Sequence, residues 1–186
     1  MDASSHEHSC QDDSWAEGLR HDDPEVFEDL FRTLYEDLVA YAQTIVPREP
    51  MAEEVVQEVF LRIWKRDDWE CTDDVTGYAY RAVHNRSLNA VRDQRPHAED
   101  PGARTTEALR GYVPVDRQVH TGQLEEAIEE AIQQLPDRRR QIFLLSRRHD
   151  LTYAQIADVL DISERTVETQ IRRALQALRE CVSRYE

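Results

Sequence analysis

The sequence is poor in the residues that break helices or cross-link chains. Only 5 of its 186 residues are glycine, which, with helical periodicity throughout, favours an all-α fold. The three cysteines, Cys10, Cys71 and Cys181, form no C-x-x-C pair, which argues against a disulfide framework or a structural zinc site. No apolar run approaches the roughly 20 residues that span a bilayer, and the N-terminal residues lack the pattern of a signal peptide. We therefore expect a helical, cytoplasmic protein that binds no metal.

Lysine is almost absent: Lys65 stands against 22 arginines, and the net charge is −15. Such an acid excess is unusual for a nucleic-acid-binding protein, but the acids are unevenly distributed. Residues 1–26 carry a net charge of −7, whereas residues 77–92 contain no acid at all. An acid excess with scarce lysine fits either a high-salt cytoplasm or a GC-rich coding bias. Because residues 1–23 are also polar and lack periodicity, we expect a disordered acidic tail there.

Residues 151–178 carry the local signals of two short helices joined by a tight turn. Thr152 and Gln155 have the spacing of a capping box, Ser163 is placed to cap the second helix, and the small Ala157 suits a close helix crossing. These features agree with one another and favour a DNA-binding helix-turn-helix over a plain helical hairpin with solvated arginines. The second helix leaves six residues facing outward: Arg165, Thr166, Glu168, Thr169, Arg172 and Arg173.

The amino-terminal half begins with a helix signal at Asp23 and Pro24 and continues with a helix at about residues 51–66. One stripe of that helix is apolar, which predicts its buried side. A second stripe is polar except for one leucine: Glu54, Gln57, Glu58, Leu61 and Lys65. An apolar residue among polar neighbours is typical of a docking face, although single exposed leucines are also common on protein surfaces. The residues alone leave both interpretations open.

A third helix follows the acidic loop of residues 67–74, which contains Trp69. On this helix five residues share one face at spacings of three and four: Tyr78, Arg81, Asn85, Asn89 and Arg92. A face with an aromatic ring, amides and guanidinium groups but no carboxylate can stack bases, contact their edges and neutralise phosphates. The alternative is that Tyr78 and Tyr80 belong to the core and that the arginines are only solvated.

Residues 97–121 contain several prolines and glycines and show only weak periodicity. This composition predicts a flexible linker between two modules. Helical periodicity resumes after it and leads into the helix-turn-helix, so that the second module covers residues 122–182. The expected fold is therefore all-α, with two small helical domains at residues 24–96 and 122–182 joined by that linker.

Three segments, in this order, resemble the extracytoplasmic-function (ECF) sigma factors, which are small alternative sigma factors of bacterial RNA polymerase. Residues 53–64 (EEVVQEVFLRIW) resemble the polymerase-binding helix, and residues 77–86 (GYAYRAVHNR) resemble the segment that melts and reads the downstream promoter element. Residues 135–178 resemble the domain that reads the upstream element. The two domains are thus similar to sigma regions 2 and 4. In one departure from many members, Ala79 stands beside Tyr78 where the melting helix often has a large aromatic residue.

The resemblance implies protein partners for the chain. The first is core RNA polymerase, contacted at the flap region and at the coiled-coil clamp of its largest subunit. The clamp would be bound by Glu54, Gln57, Glu58 and Leu61. The second is an anti-sigma factor, which would be a separate chain because nothing in this sequence resembles a regulatory domain. Neither partner requires the chain itself to insert into a membrane.

The resemblance also implies two contacts with promoter DNA. The non-template strand, with one base flipped into a loop pocket, would be held by Trp69, Tyr78, Arg81, Asn85, Asn89 and Arg92. The upstream duplex would be contacted by Arg165, Thr166, Glu168, Thr169, Arg172 and Arg173. Within this second set, base-edge contacts are expected of Arg165 and Thr169, and phosphate contacts of Arg172 and Arg173.

The main alternative is a stand-alone helix-turn-helix transcriptional regulator, which would bind an operator without polymerase, usually as a dimer. That class needs a sensor pocket or a modification site in its other half, and residues 25–96 offer neither. An enzyme is disfavoured because the sequence has no plausible Ser/His/Asp or Cys/His arrangement and no phosphate-binding glycine loop. We expect no catalytic residue and no cofactor.

Overall fold

The computed structural model describes residue 12 and residues 14–66, 74–93 and 123–182, and every regular element in these ranges is an α-helix. The helices are α1 (residues 14–20), α2 (Pro24–Gln43), α3 (Glu49–Trp64), α4 (Val75–Asp93), α5 (Gln123–Gln133), α6 (Asp137–Arg147), α7 (Tyr153–Val159) and α8 (Glu164–Val182). The all-α prediction is confirmed. The chain divides into two compact units, residues 1–113 and 114–186, and the predicted linker at 97–121 lies outside the described residues. Within the described ranges, no helix is both long and apolar enough to cross a membrane.

A side-chain cap sets the start of α2. Asp23 Oδ1 accepts hydrogen bonds from the amides of Glu25 (2.9 Å) and Val26 (3.5 Å), and Pro24 stands in the first turn. A carboxylate here satisfies amides that have no partner inside the helix, and Pro24 has no amide hydrogen to satisfy. The helix start predicted from these two residues is confirmed.

Helices α2, α3 and α4 pack against one another and share one core. Tyr41 of α2 and Tyr80 of α4 lie in its centre, with ring centroids 5.5 Å apart, and the Tyr41 hydroxyl is 2.9 Å from Nδ1 of His84. Tyr80 therefore belongs to the core, as the alternative interpretation of the tyrosines held. The predicted apolar stripe of α3 is also buried, which confirms it: Val56, Val59, Phe60 and Ile63 are at most 3% exposed.

The disordered tail predicted over residues 1–23 is wrong for its second half. Residues 14–20 form α1, in which Trp15, Ala16 and Leu19 are buried. Trp15 Nε1 donates a hydrogen bond to Asp29 Oδ2 of α2 at 2.8 Å. Only three residues of this short helix are buried, too few to produce a visible period in so acidic a stretch. Residues 1–11 and 13 lie outside the described residues.

The second unit contains the predicted helix-turn-helix in α7 and α8. The capping box at α7 is complete: the Thr152 amide donates to Gln155 Oε1 (2.8 Å), and the Gln155 amide donates to Thr152 Oγ1 (3.2 Å). Ser163 Oγ accepts from the Thr166 amide (3.2 Å) at the start of α8. In the turn between them Asp161 has a φ of 51°, a backbone region that aspartate tolerates better than most residues.

Helix α6 supports the helix-turn-helix from one side. α6, α7 and α8 contact one another pairwise, which distinguishes the arrangement from a plain two-helix hairpin. Ala157 of α7 and Val167 of α8 are buried, and Arg139 Nε of α6 donates to Gln170 Oε1 of α8 at 3.2 Å. The position of α8 therefore depends on apolar packing as well as on its own cap.

His149, at the end of α6, is a buried titratable group. It is 9% exposed, and burial, together with the nearby Arg148 charge, lowers the pKa of its imidazole to about 4. The ring is consequently neutral at pH 7. Since an unfolded histidine keeps its ordinary pKa of about 6.5, the unfolded chain binds the additional proton first as the pH falls.

We expect the second unit to lose stability as the pH falls from 6.5 toward 4, by up to about 3 kcal/mol from His149 alone. His149→Leu should lack this part of the pH dependence. Urea unfolding of both proteins at several pH values, followed by circular dichroism, measures it. Tryptophan fluorescence gives an internal control because Trp15, Trp64 and Trp69 all precede the second unit. An equally steep pH dependence in the variant would contradict the assignment.

Candidate nucleic-acid interfaces and docking face

The predicted docking face of α3 lies on the surface. Glu54, Gln57 and Lys65 are exposed, and Leu61 is 57% exposed. Leu61 has no place in the core because the opposite side of α3 is the one that is buried. Four of the five residues of this stripe can therefore contact a partner directly, which is what a docking face requires.

Glu58, the fifth residue of the stripe, is instead held within the fold. Its carboxylate pairs with the Arg86 guanidinium of α4, through Nε to Oε2 and through Nη2 to Oε1 at 3.0 Å. The hydrogen bond from Arg86 lowers the pKa of Glu58, and the same bond raises the pKa of Arg86. Glu58 thus joins α3 to α4, a role that its position in the sequence stripe did not indicate.

Two aromatic residues of the first unit, Trp64 and Phe31, are also partly exposed. Trp64, one turn after Leu61 on α3, is 39% exposed and contacts Phe27 with ring centroids 4.8 Å apart. Phe31 is 36% exposed and lies 4.8 Å from Phe60. The position of Trp64 beside Leu61 could have been predicted from the sequence, since residues three apart lie on the same side of a helix.

The predicted strand-binding face of α4 is on the surface, and one residue from outside α4, Arg66, contacts it. Arg81, Asn85, Asn89 and Arg92 are exposed and Tyr78 is half-buried. Arg92 Nη2 donates to Asn89 Oδ1 at 2.9 Å. Arg66, just after α3, places its guanidinium carbon 4.4 Å from the centroid of the Tyr78 ring, a cation–π contact between distant residues that the sequence did not predict. Trp69 lies outside the described residues.

Two carboxylates accept hydrogen bonds from the first turn of α4. Asp12 Oδ1 accepts from the amide of Thr76 (2.9 Å) and from its hydroxyl (2.8 Å). Asp74 Oδ1 accepts from the Gly77 amide at 2.7 Å, and a β-carbon at position 77 would collide with that carboxylate. Sequence reasoning missed Asp12 because it precedes Thr76 by 64 residues.

The predicted DNA-reading residues of α8 lie on its outer side. Arg165, Glu168, Arg172 and Arg173 are exposed, and Thr166 and Thr169 are half-buried. Thr169 Oγ1 donates to the backbone carbonyl of Arg165 at 2.8 Å. Its hydroxyl hydrogen is therefore already used, and the side chain presents an acceptor oxygen and a methyl group.

Family models match both units. The sigma-70 region 2 model matches residues 30–97, and the sigma-70 region 4 model matches residues 125–178. The first match contains the faces of α3 and α4, and the second contains the helix-turn-helix. Residue 12 and α1 lie outside both matches.

Curated relatives match most of the chain. It is 25% identical over 171 residues to the ECF RNA polymerase sigma factor SigW of Bacillus subtilis, covering 87% of this chain and 91% of the relative. It is 28% identical over 156 residues to the ECF RNA polymerase sigma factor SigL of Mycobacterium tuberculosis, covering 81% and 87%. The RNA polymerase sigma-H factor of Pseudomonas aeruginosa is 25% identical over 177 residues, covering 90% and 92%.

A solved structure, that of CnrH in complex with the cytosolic domain of CnrY, is similar in fold. The TM-score is 0.59 at 19% sequence identity, and the match covers 95% of this chain and 99% of CnrH. The chain belongs to the sigma-70 family, within its extracytoplasmic-function group. It is a sigma factor that directs transcription initiation.

The bridge between Glu58 and Arg86 gives a testable coupling energy. In a double-mutant cycle with Glu58→Gln and Arg86→Gln we expect about 0.5–1 kcal/mol of favourable coupling. The pair Glu28 and Arg32 on α2 is a matched control, since its side chains are 60% and 76% exposed and such pairs contribute about 0.3 kcal/mol. Urea unfolding followed by tryptophan fluorescence measures both. Coupling at Glu58–Arg86 no larger than in the control would contradict the bridge.

Proposed function

We propose that this sigma factor docks on the coiled-coil clamp of the largest subunit of core RNA polymerase through Glu54, Gln57 and Leu61. Glu58 contributes to the same face and also braces it against α4. The observation that carries the proposal is the 57% exposure of Leu61 between charged and polar neighbours, because an apolar side chain left in water gains free energy when a partner covers it. Trp64 extends that apolar surface.

The face of α4 holds the separated non-template strand in this proposal. The Tyr78 ring gives a base a surface for stacking, the amides of Asn85 and Asn89 contact base edges, and Arg81 and Arg92 contact phosphates. Trp69 adds a loop contact. Support comes from the acid-free run of residues 77–92 in a chain of net charge −15, since a carboxylate on this face would repel the strand.

The outer side of α8 reads the upstream promoter element in the major groove. Arg165 contacts base edges and Arg172 and Arg173 contact phosphates, with Thr166 and Glu168 beside them. Because the Thr169 hydroxyl donates to the Arg165 carbonyl, we infer that its oxygen accepts from an adenine or cytosine amino group or that its methyl group contacts thymine.

Further protein partners follow from the same assignment. The second unit contacts the flap region of the polymerase, and a separate anti-sigma factor controls the chain. Support for the latter is the similarity in fold to CnrH, whose structure was solved in complex with the cytosolic domain of CnrY. The site of action is the cytoplasm, where core polymerase and promoter DNA meet.

Run-off transcription with core polymerase tests the proposal, and Leu61→Asp is the informative variant. We expect the wild-type chain to direct promoter-specific transcripts and Leu61→Asp to lose at least about tenfold in polymerase affinity, since a carboxylate in an apolar contact costs more than 1.4 kcal/mol. Circular dichroism should show unchanged helicity.

Thr33→Asp, which adds the same charge at an exposed position of α2, is the matched control and should bind polymerase normally. Unchanged co-purification of Leu61→Asp with the core enzyme would contradict the docking assignment. Tight operator binding by the purified chain without polymerase would favour a stand-alone regulator instead.

Promoter selectivity tests the assignments on α8. We expect Arg165→Ala to weaken holoenzyme binding by about 1–3 kcal/mol at one or two upstream bases, whereas Arg173→Ala should weaken binding equally on every sequence. Thr169→Val keeps the shape and the methyl group but removes the acceptor oxygen, so it separates the two roles given to Thr169. Binding to promoters with each upstream base changed in turn measures all three variants, and a uniform loss with Arg165→Ala would place that residue on phosphate.

A further inference from the structure

We propose that Asp12 is a positioning residue for promoter opening: its carboxylate fixes the first turn of α4, and so fixes the strand-holding face that begins at Tyr78. The inference rests on the function proposed above for α4. It assigns a role in that function to the segment before the region 2 match, which begins at residue 30.

The contacts of Asp12 are buried and specific. Asp12 and Thr76 are each 7% exposed, and one carboxylate oxygen accepts from both the amide and the hydroxyl of Thr76. A buried carboxylate is costly unless donors surround it. The first turn of a helix supplies unpaired amides and the positive end of the helix dipole, so this position stabilises the charge and the charge stabilises the turn.

The strand-holding face starts directly beside these hydrogen bonds. Asp12 accepts hydrogen bonds from Thr76, and Asp74 accepts one from the Gly77 amide. The amide of Tyr78 in turn donates to the Asp74 carbonyl at 3.2 Å. Without the first of these caps the opening turn of α4 can fray. The Tyr78 ring, and with it the contact to Arg66, would then no longer be held in one place.

The segment that carries Asp12 is also anchored to α2. Trp15 and Leu19 are buried, and Trp15 bonds to Asp29 of α2. A β-carbon at Gly18 would lie 2.5 Å from a methyl carbon of Val26, so only glycine lets α1 approach α2 this closely. Asp12 therefore connects the start of α4 to α2 through α1, and removing its carboxylate loosens one turn while leaving the shared core in place.

The test compares duplex and pre-opened promoters in transcription with core polymerase and saturating full-length sigma factor. We expect Asp12→Ala to lower the rate of open-complex formation on duplex DNA about tenfold, the effect of losing a strong helix cap. Transcription from the same promoter with a pre-opened bubble should stay within about twofold of wild type, because the strand is already separated. Permanganate reactivity of thymines reports opening directly.

Two further variants keep the test valid if Asp12→Ala folds poorly. Asp12→Asn retains an acceptor oxygen and should recover most of the rate, whereas Thr76→Val keeps the amide, loses the hydroxyl and should fall between wild type and Asp12→Ala. Glu17→Ala, at an exposed position of α1, is the matched control and should equal wild type on both templates.

Several outcomes would overturn the inference. Equal losses on duplex and pre-opened DNA would mean that Asp12 only stabilises the domain, and wild-type rates for both Asp12→Ala and Thr76→Val would mean that the cap is dispensable. If the wild-type chain itself failed to direct transcription with core polymerase, the proposed function would fall, and this inference with it. The wild-type reactions therefore separate the two kinds of failure.

Discussion

The side of α4 that carries Ala79, Tyr80 and Val83 is buried against α2 and α3, and this packing decides which residues of α4 remain on the surface. With 3.6 residues per turn, burial of that side leaves Arg81, Asn85 and the residues in line with them outside. The same core takes up the apolar side of α3 and thereby turns Leu61 outward. The shared apolar core thus determines which residues form both candidate faces of the first unit, that of α3 and that of α4.

The acidic residues of the chain are more than a source of surface charge. Asp23 caps α2, and Asp12 and Asp74 both accept hydrogen bonds from the first turn of α4. Glu58 pairs with Arg86. Each of these carboxylates lies beside helix amides or a guanidinium group, where a negative charge is stabilised. A net charge of −15 is therefore compatible with DNA binding, because several acids serve the fold and the face of α4 contains none.

The two units obtain their candidate DNA surfaces in different ways. In the second unit the signals are local: Thr152, Gln155 and Ser163 determine where α7 and α8 begin, and the outward residues of α8 follow from its period. In the first unit the surface combines separate segments, since Arg66 contacts the ring of Tyr78 and Asp12 holds the turn before it. The first unit is accordingly the more dependent on tertiary structure.

The sequence by itself determined the helical class, the caps at Asp23, Thr152 and Ser163, the buried stripe of α3 and the outward faces of α3, α4 and α8. Hydrophobic period and capping depend on neighbours within a few residues, so one sequence contains them. Tertiary structure alone decided that Tyr80 is buried while Tyr78 stays half-exposed, that Glu58 pairs with Arg86, that burial lowers the pKa of His149 and that Asp12 belongs to the fold. Each of these depends on which distant segments pack together, as with Asp12 and Thr76, which are 64 positions apart, and no local pattern records that choice.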